Sequence, residues 1–162
     1  MAAVDFFMKI GGIDGESKDS KHGGEIDVLA WSWGATNAGA SATGGGGGAG
    51  KVSVNDLSFT MAISKATPGL MLACCNGKHF SKATLVARKA GENPLEYLKI
   101  EMTDVLVSSY QTGGSMGSSV VPTEQFSLNF AKIEMEYKPQ KADGTADSPV
   151  KTGWDVKANK KV

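Results

Sequence analysis

The chain has 162 residues, 41% hydrophobic and 21% charged, with 17 Lys and Arg matched by 17 Asp and Glu. That length and apolar content suit a single domain (1–162) with a proper core, and zero net charge removes any whole-chain attraction to nucleic acid or an anionic membrane. No apolar run approaches the roughly 20 residues of a membrane helix, and MAAVDFFMKIGG at the N-terminus lacks the basic segment of a signal peptide, so folding in the cytoplasm and export without a cleaved leader are expected.

VDFFMKI (4–10) alternates Val4, Phe6, Met8 and Ile10 against Asp5, Phe7 and Lys9, which predicts a strand. EIDVLAWSWG (25–34) predicts another, with Leu29, Trp31 and Trp33 on one face and Val28, Ala30 and Ser32 on the other. Residues 35–51 read as a glycine-rich extended loop. From Gly45 the loop spells Gly-x-x-x-x-Gly-Lys, the phosphate-cradling motif up to its last position. Val52 then stands where a magnesium-binding Ser or Thr is required, and KVSVNDLSFTM continues at period two rather than as a helix. The segment is therefore a surface loop joining two strands, the second with a register shift near Asn55–Asp56.

KATPGLMLACCNGKHF predicts the one helix, with Thr67 as N-cap, Pro68 at the first helical position and Gly77 just past the end. Leu70, Met71, Ala73 and Cys74 form its apolar face, which is stable only when packed on a sheet. KATLVARKA (82–90) and EYLKIEMTDVLVSSY (96–110) form a hairpin around GENP, the second strand long enough to bend. In TEQFSLNFAKIEMEYKP (123–139) the apolar phase flips between Phe130 and Ile133, the pattern of a β-bulge at a corner. A polar linker leads to VKTGWDVKA (150–158), and 156–162 is a short basic tail. The class is mainly β, seven or so strands with one short helix, as a small barrel or a two-sheet sandwich.

No catalytic, cofactor or metal constellation emerges. Cys74 and Cys75 are adjacent, so they cannot staple distant parts of a fold, and their spacing to His79 does not match a zinc site. His22 lies in a charged turn and reads as exposed loop. Trp31, Trp33 and Trp154 read as core aromatics, and the lysines of the tail lack the interleaved aromatics of a nucleic-acid site. The composition points to interaction rather than reaction.

Eight segments in order carry a resemblance: VDFFMKIGGIDGESKD, EIDVLAWSWG, GGGGGAGKVSVNDLSFT, ATPGLMLACCNGKHF, ARKAG with EYLKI, VLVSSYQTGG, LNFAKIEMEYKPQKADG and GWDV. Together they resemble the Hcp (hemolysin-coregulated protein) family, the inner-tube proteins of bacterial type VI secretion. The resemblance implies a β-barrel of two sheets with a helix at its side, similar to phage tail-tube proteins. It also implies hexameric rings that stack into a hollow tube, expelled by a contracting sheath, with spike proteins as further partners and small effectors in the lumen. Catalysis is not implied, and the few residues after Asp155 leave no room for a fused toxin domain. A phage-type tail tube and a non-catalytic β-sandwich binding module are the alternatives. On this reading Gly44, Gly45, Gly46, Gly47, Gly48, Gly50 and Lys51 form an inter-subunit or stacking contact, since an arm poor in side chains can lie flat against a neighbour. Ser32 is expected to face the lumen.

Overall fold

A computed structural model describes residues 4–38, 51–117 and 121–162. Their strands are β1 (Val4–Ile10), β2 (Ile26–Val28), β3 (Ala30–Ser32), β4 (Ala35–Asn37), β5 (Val52–Val54), β6 (Leu57–Ala62), β7 (His79–Lys89), β8 (Leu95–Gln111), β9 (Thr123–Tyr137), β10 (Val150–Asp155) and β11 (Lys160–Lys161), with α1 at Ala66–Asn76. The larger sheet runs β11-β10-β9-β8-β7-β1-β2, with β6 added to β9 and β3 to β6, while β4 and β5 make a separate two-stranded arm. The mainly β, two-sheet, one-helix class is as expected. Among the described residues no ring of paired strands closes, however, because there β2 pairs only with β1 and β3 only with β6.

That opening sits at Leu29. Its N–H donates to the Thr60 carbonyl at 2.8 Å while Val28 still pairs with Phe6, so the chain changes partners in one residue. The side-chain phase flips with it. Ile26 and Val28 are buried before the switch, Trp31 and Trp33 pack partly buried on the core after it, and Leu29 is 56% exposed. The expected common face of Leu29, Trp31 and Trp33 is corrected accordingly. Residues 35–37 likewise are strand rather than loop, paired with 52–54, and β5 and β6 break at Asn55–Asp56 as the pattern indicated.

One bend shapes the rest. Core positions step by three rather than two in three neighbouring strands: Phe80 to Ala83, Val105 to Met102 and Phe130 to Ile133. These face one another in register, Phe80 with Val105 and Phe130, Ala83 with Met102 and Ile133. Between them Asp104 adopts φ 55°, a left-handed conformation uncommon outside glycine. Its carboxylate bonds His79 Nδ1 and Lys157 Nζ, each at 2.9 Å, and Lys157 foremost holds it below the usual carboxylate range. The predicted bulge is therefore corrected in part. The phase flips between Phe130 and Ile133, but pairing register is unbroken there, and the register shift lies between Val107 and Ser109. Strands bent along one row wrap both halves around a single core.

The helix ends as predicted and begins differently. Gly77 takes φ 69° and its N–H donates to the Ala73 carbonyl, a left-handed cap that glycine adopts without Cβ strain. Lys65, not Thr67, occupies the N-cap, with no side-chain cap. Thr67 is the second residue of the helix, and its hydroxyl accepts the Ser64 N–H at 3.2 Å while donating to Glu124 Oε2 at 2.7 Å. Glu124 is 1% exposed and also accepts from Tyr110 O–H at 2.8 Å, which raises the tyrosine pKa. Ala66, Leu70 and Ala73 face the core, whereas Met71 is exposed.

The segment between β1 and β2 forms a flap. Phe7 points away from Met8 yet is buried, because His22 stacks on its ring at 4.3 Å and 9° and the Arg88 guanidinium lies 4.9 Å from its centre. His22 is 7% exposed, with Nδ1 2.7 Å from Glu25 and Nε2 2.6 Å from Glu96. The expectation of an exposed loop histidine is thus corrected: its partner Glu96 lies on a distant strand. Arg88 grips Asp19 with both terminal nitrogens and reaches Asp5, and it holds the Asp19 carboxyl far below its ordinary range. A depressed carboxyl pKa adds stability that is complete above about pH 4 and is lost as pH falls. Acid melts should show a shallower decline for Asp19→Asn than for the parent chain; equal acid limbs would contradict the pairing.

Candidate assembly surface

The outward faces on the two sides of the bend differ in chemistry. On β7–β10 they carry charge: Lys82, Lys99, Glu101, Glu134, Glu136 and Lys151. Glu101 lies 3.1 Å from Lys82 and 3.6 Å from Lys99, and Lys82 foremost holds its carboxyl below the usual range.

On β3, β6, the first half of β9 and the end of β8 the outward strand residues are uncharged, and one carboxylate, Asp56, stands at their edge, accepting from Ser108 and from Asn129. Strand alternation places Leu57, Phe59, Met61, Phe126 and Leu128 inward, so the residues between them face out. Register then aligns Ser32 with Ser58, Ser58 with Ser127, and Ser127 with Ser109, one serine from each of four neighbouring strands. Ser109 donates to Ser127 at 2.7 Å. The adjacent row is Ala30, Thr60, Gln125 and Gln111. Together they make a continuous hydroxyl and amide surface.

Ser32 is exposed within this surface, as its side of the strand suggested. Lys51 is exposed at the base of the arm. Gly44, Gly45, Gly46, Gly47, Gly48 and Gly50 lie outside the described residues. The arm is anchored where Trp33 Nε1 donates to the Asn55 carbonyl at 2.9 Å, and Trp31, Trp33 and Trp154 pack partly buried against the core. Cys74 is partly buried and Cys75 exposed, while His79 is committed to Asp104. Among the described residues no cluster of His, Cys, Asp and Glu is arranged to hold a metal, and no helix is long and apolar enough to cross a membrane. Sequence reasoning singled out Ser32 but not the row it stands in. The signal was present in LSFTM and TEQFSLNF, whose polar alternates are Ser58, Thr60, Gln125 and Ser127.

A mainly β chain with an outward surface of hydroxyls and amides and a two-stranded arm offers broad surfaces for contact. Comparison identifies the class of protein to which it belongs. Residues 7–137 match the family described as Type VI secretion system effector, Hcp. The chain is similar to Protein hcp1 of Pseudomonas aeruginosa, 58% identical over 159 residues, covering 97% of this chain and 98% of that one. It is also similar to the crystal structure of Hcp1 from Salmonella typhimurium, 41% identical with a TM-score of 0.82, covering 99% of this chain and all of that one. The structure of a type six secretion system protein matches with a TM-score of 0.94 at 31% identity, again over 99% of this chain and all of that one. The chain belongs to the Hcp family of type VI secretion proteins.

Proposed function

We propose that the protein is the tube subunit of a type VI secretion machine. Copies close into hexameric rings, rings stack into a hollow tube, and a contracting sheath drives the tube, tipped by spike proteins, out of the cytoplasm. The lumen carries and stabilises small effectors.

The observation that carries the lumen assignment is the four-strand serine row with its neighbouring Thr60, Gln125 and Gln111. Charged groups on a channel wall would trap or repel cargo according to its charge, whereas exposed hydroxyls and amides exchange bonds with water at little net cost. Ser32→Gln places a longer side chain into this surface. It should reduce effector retention and secretion while leaving the fold and ring size unchanged, measured by effector co-purification and secretion from cells. Retention and secretion at parental levels would remove Ser32 from the lumen.

The glycine segment supports a second element of the reading, a contact between subunits or rings made by Gly44–Lys51. Deleting Gly44–Gly48 should preserve rings but shorten or abolish tubes in electron micrographs. Tubes of unchanged length and abundance would sink that assignment.

A further inference from the structure

The flap between β1 and β2 closes over a buried histidine whose two ring nitrogens both face carboxylates. Nδ1 of His22 lies 2.7 Å from Glu25 Oε2, and Nε2 lies 2.6 Å from Glu96 Oε1. An ionised carboxylate only accepts, and a neutral imidazole carries a single N–H. Both contacts are therefore hydrogen bonds only when both ring nitrogens carry a proton. In the neutral ring, one lone pair would face a carboxylate oxygen.

The charges around the ring leave that positive charge to His22 itself. Glu25 and Glu96 have no other ion-pair partner among the described residues. Asp19 accepts the His22 backbone N–H at 3.2 Å. Arg88 stands opposite Glu96 in the β7–β8 register but gives its guanidinium to Asp19 and Asp5. Lys9, Lys82 and Lys99 line a cleft beside Glu25, where Lys82 and Lys99 pair with Glu101. Lys18 and Lys21, on the flap, are exposed.

The two carboxylates are not equivalent. Glu25 is three residues from His22 with its side chain 17% exposed, whereas Glu96 comes from β8 and is 41% exposed. A ring with one proton keeps it toward the less hydrated Glu25, because water can replace the contact at Glu96 more cheaply.

We infer that the β1–β2 flap is a proton-operated latch: the His22 imidazolium hooks it to Glu96 on β8, and loss of the proton unhooks it there. The stack on Phe7 and the Arg88 grip on Asp19 then hold the flap alone. Closure binds a proton that the unhooked flap releases, so the latch holds on the acid side of histidine's range and loosens as pH rises through it, between about pH 5 and 8. The Asp19 pairing fails in the opposite direction, in acid, so the flap is held most firmly between the two. The latch lies within one chain, so it stands or falls separately from ring assembly.

The test is amide exchange, corrected for the intrinsic chemical rate. The reporters are the amides of His22, Gly24 and Glu25, each bonded within the flap. Their protection should fall at least about tenfold between about pH 5.5 and about pH 8.5, the scale of one lost hydrogen bond to a charged group, while amides of β6 and β9 keep theirs. In Glu96→Gln the side-chain amide can donate to a neutral ring, so the fall should shrink to about twofold or less. No fall in the parent chain, or the same fall in both chains, would overturn the latch. Nitrogen NMR of the parent ring at about pH 5.5 gives a readout that needs no variant: His22 should be protonated at both nitrogens, and a neutral ring there would also overturn the proposal.

Discussion

Phe59→Ala should lower stability by about 4 kcal/mol, within the range for emptying a buried aromatic site. Phe59 is fully buried on β6, where its ring stacks on Phe126 across the pair at 5.6 Å and 21°, and Tyr110 leans on the other side of that contact at 4.9 Å. Removing the ring undermines Phe126, then the Tyr110 position, and through it one of the two hydroxyls that satisfy buried Glu124. A melting temperature reduced by about 8–16 °C is expected for a chain of this size. A change of only a degree or two would mean that β6 is not where the core is anchored. Because β6 also carries Ser58 and Thr60 outward, loss of this packing should blur the uncharged face, a link from core to function that few surface substitutions would show.

The second large effect is expected at His22. His22→Ala removes a ring that stacks on Phe7 and bonds two carboxylates, leaving Glu25 and Glu96 without that partner. Hydrogen bonds to charged groups and aromatic stacking together suggest a loss of about 3 kcal/mol. The loss should be local first. Amide exchange should accelerate across residues 14–25 and around Phe7, well before β6 and β9 respond. Uniform acceleration across the sheet, or none at all, would contradict the flap. Gly15 reinforces the same closure: a Cβ there would collide with the Glu25 carbonyl, so the flap can approach β2 this closely only with glycine at that position.

The parts of this fold written in short-range pattern were legible in the sequence. β1 was bounded correctly because Gly11 and Gly12 end a clean alternation, and α1 ended where Gly77 dictated. The bend was legible as a phase flip in β9, but its mechanism was not. A flip in one strand looks like a bulge, and only register across β7, β8 and β9 shows three strands turning on one row without slipping. His22 was misread because its burial comes from Phe7, Glu25 and Glu96, the last 74 residues away. Thr67 was misplaced for a similar reason. Its hydroxyl is engaged by Glu124 across 57 residues, a partner no local capping rule weighs. The glycine loop shows the converse: a motif nearly complete in letters was rightly set aside because Val52 begins a strand that pairs back on Asn37. Ser32 was set opposite Trp31 and Trp33, which the structure keeps, but grouped with Val28, which is buried, and the surface around it required the pairing of four strands.

The measurement that bears most directly on this account is negative-stain electron microscopy of the purified protein, with mass by light scattering on the same sample. Six-fold rings with an open centre, and a mass to match, are the result the account predicts. A dispersed monomer at micromolar concentration would contradict it.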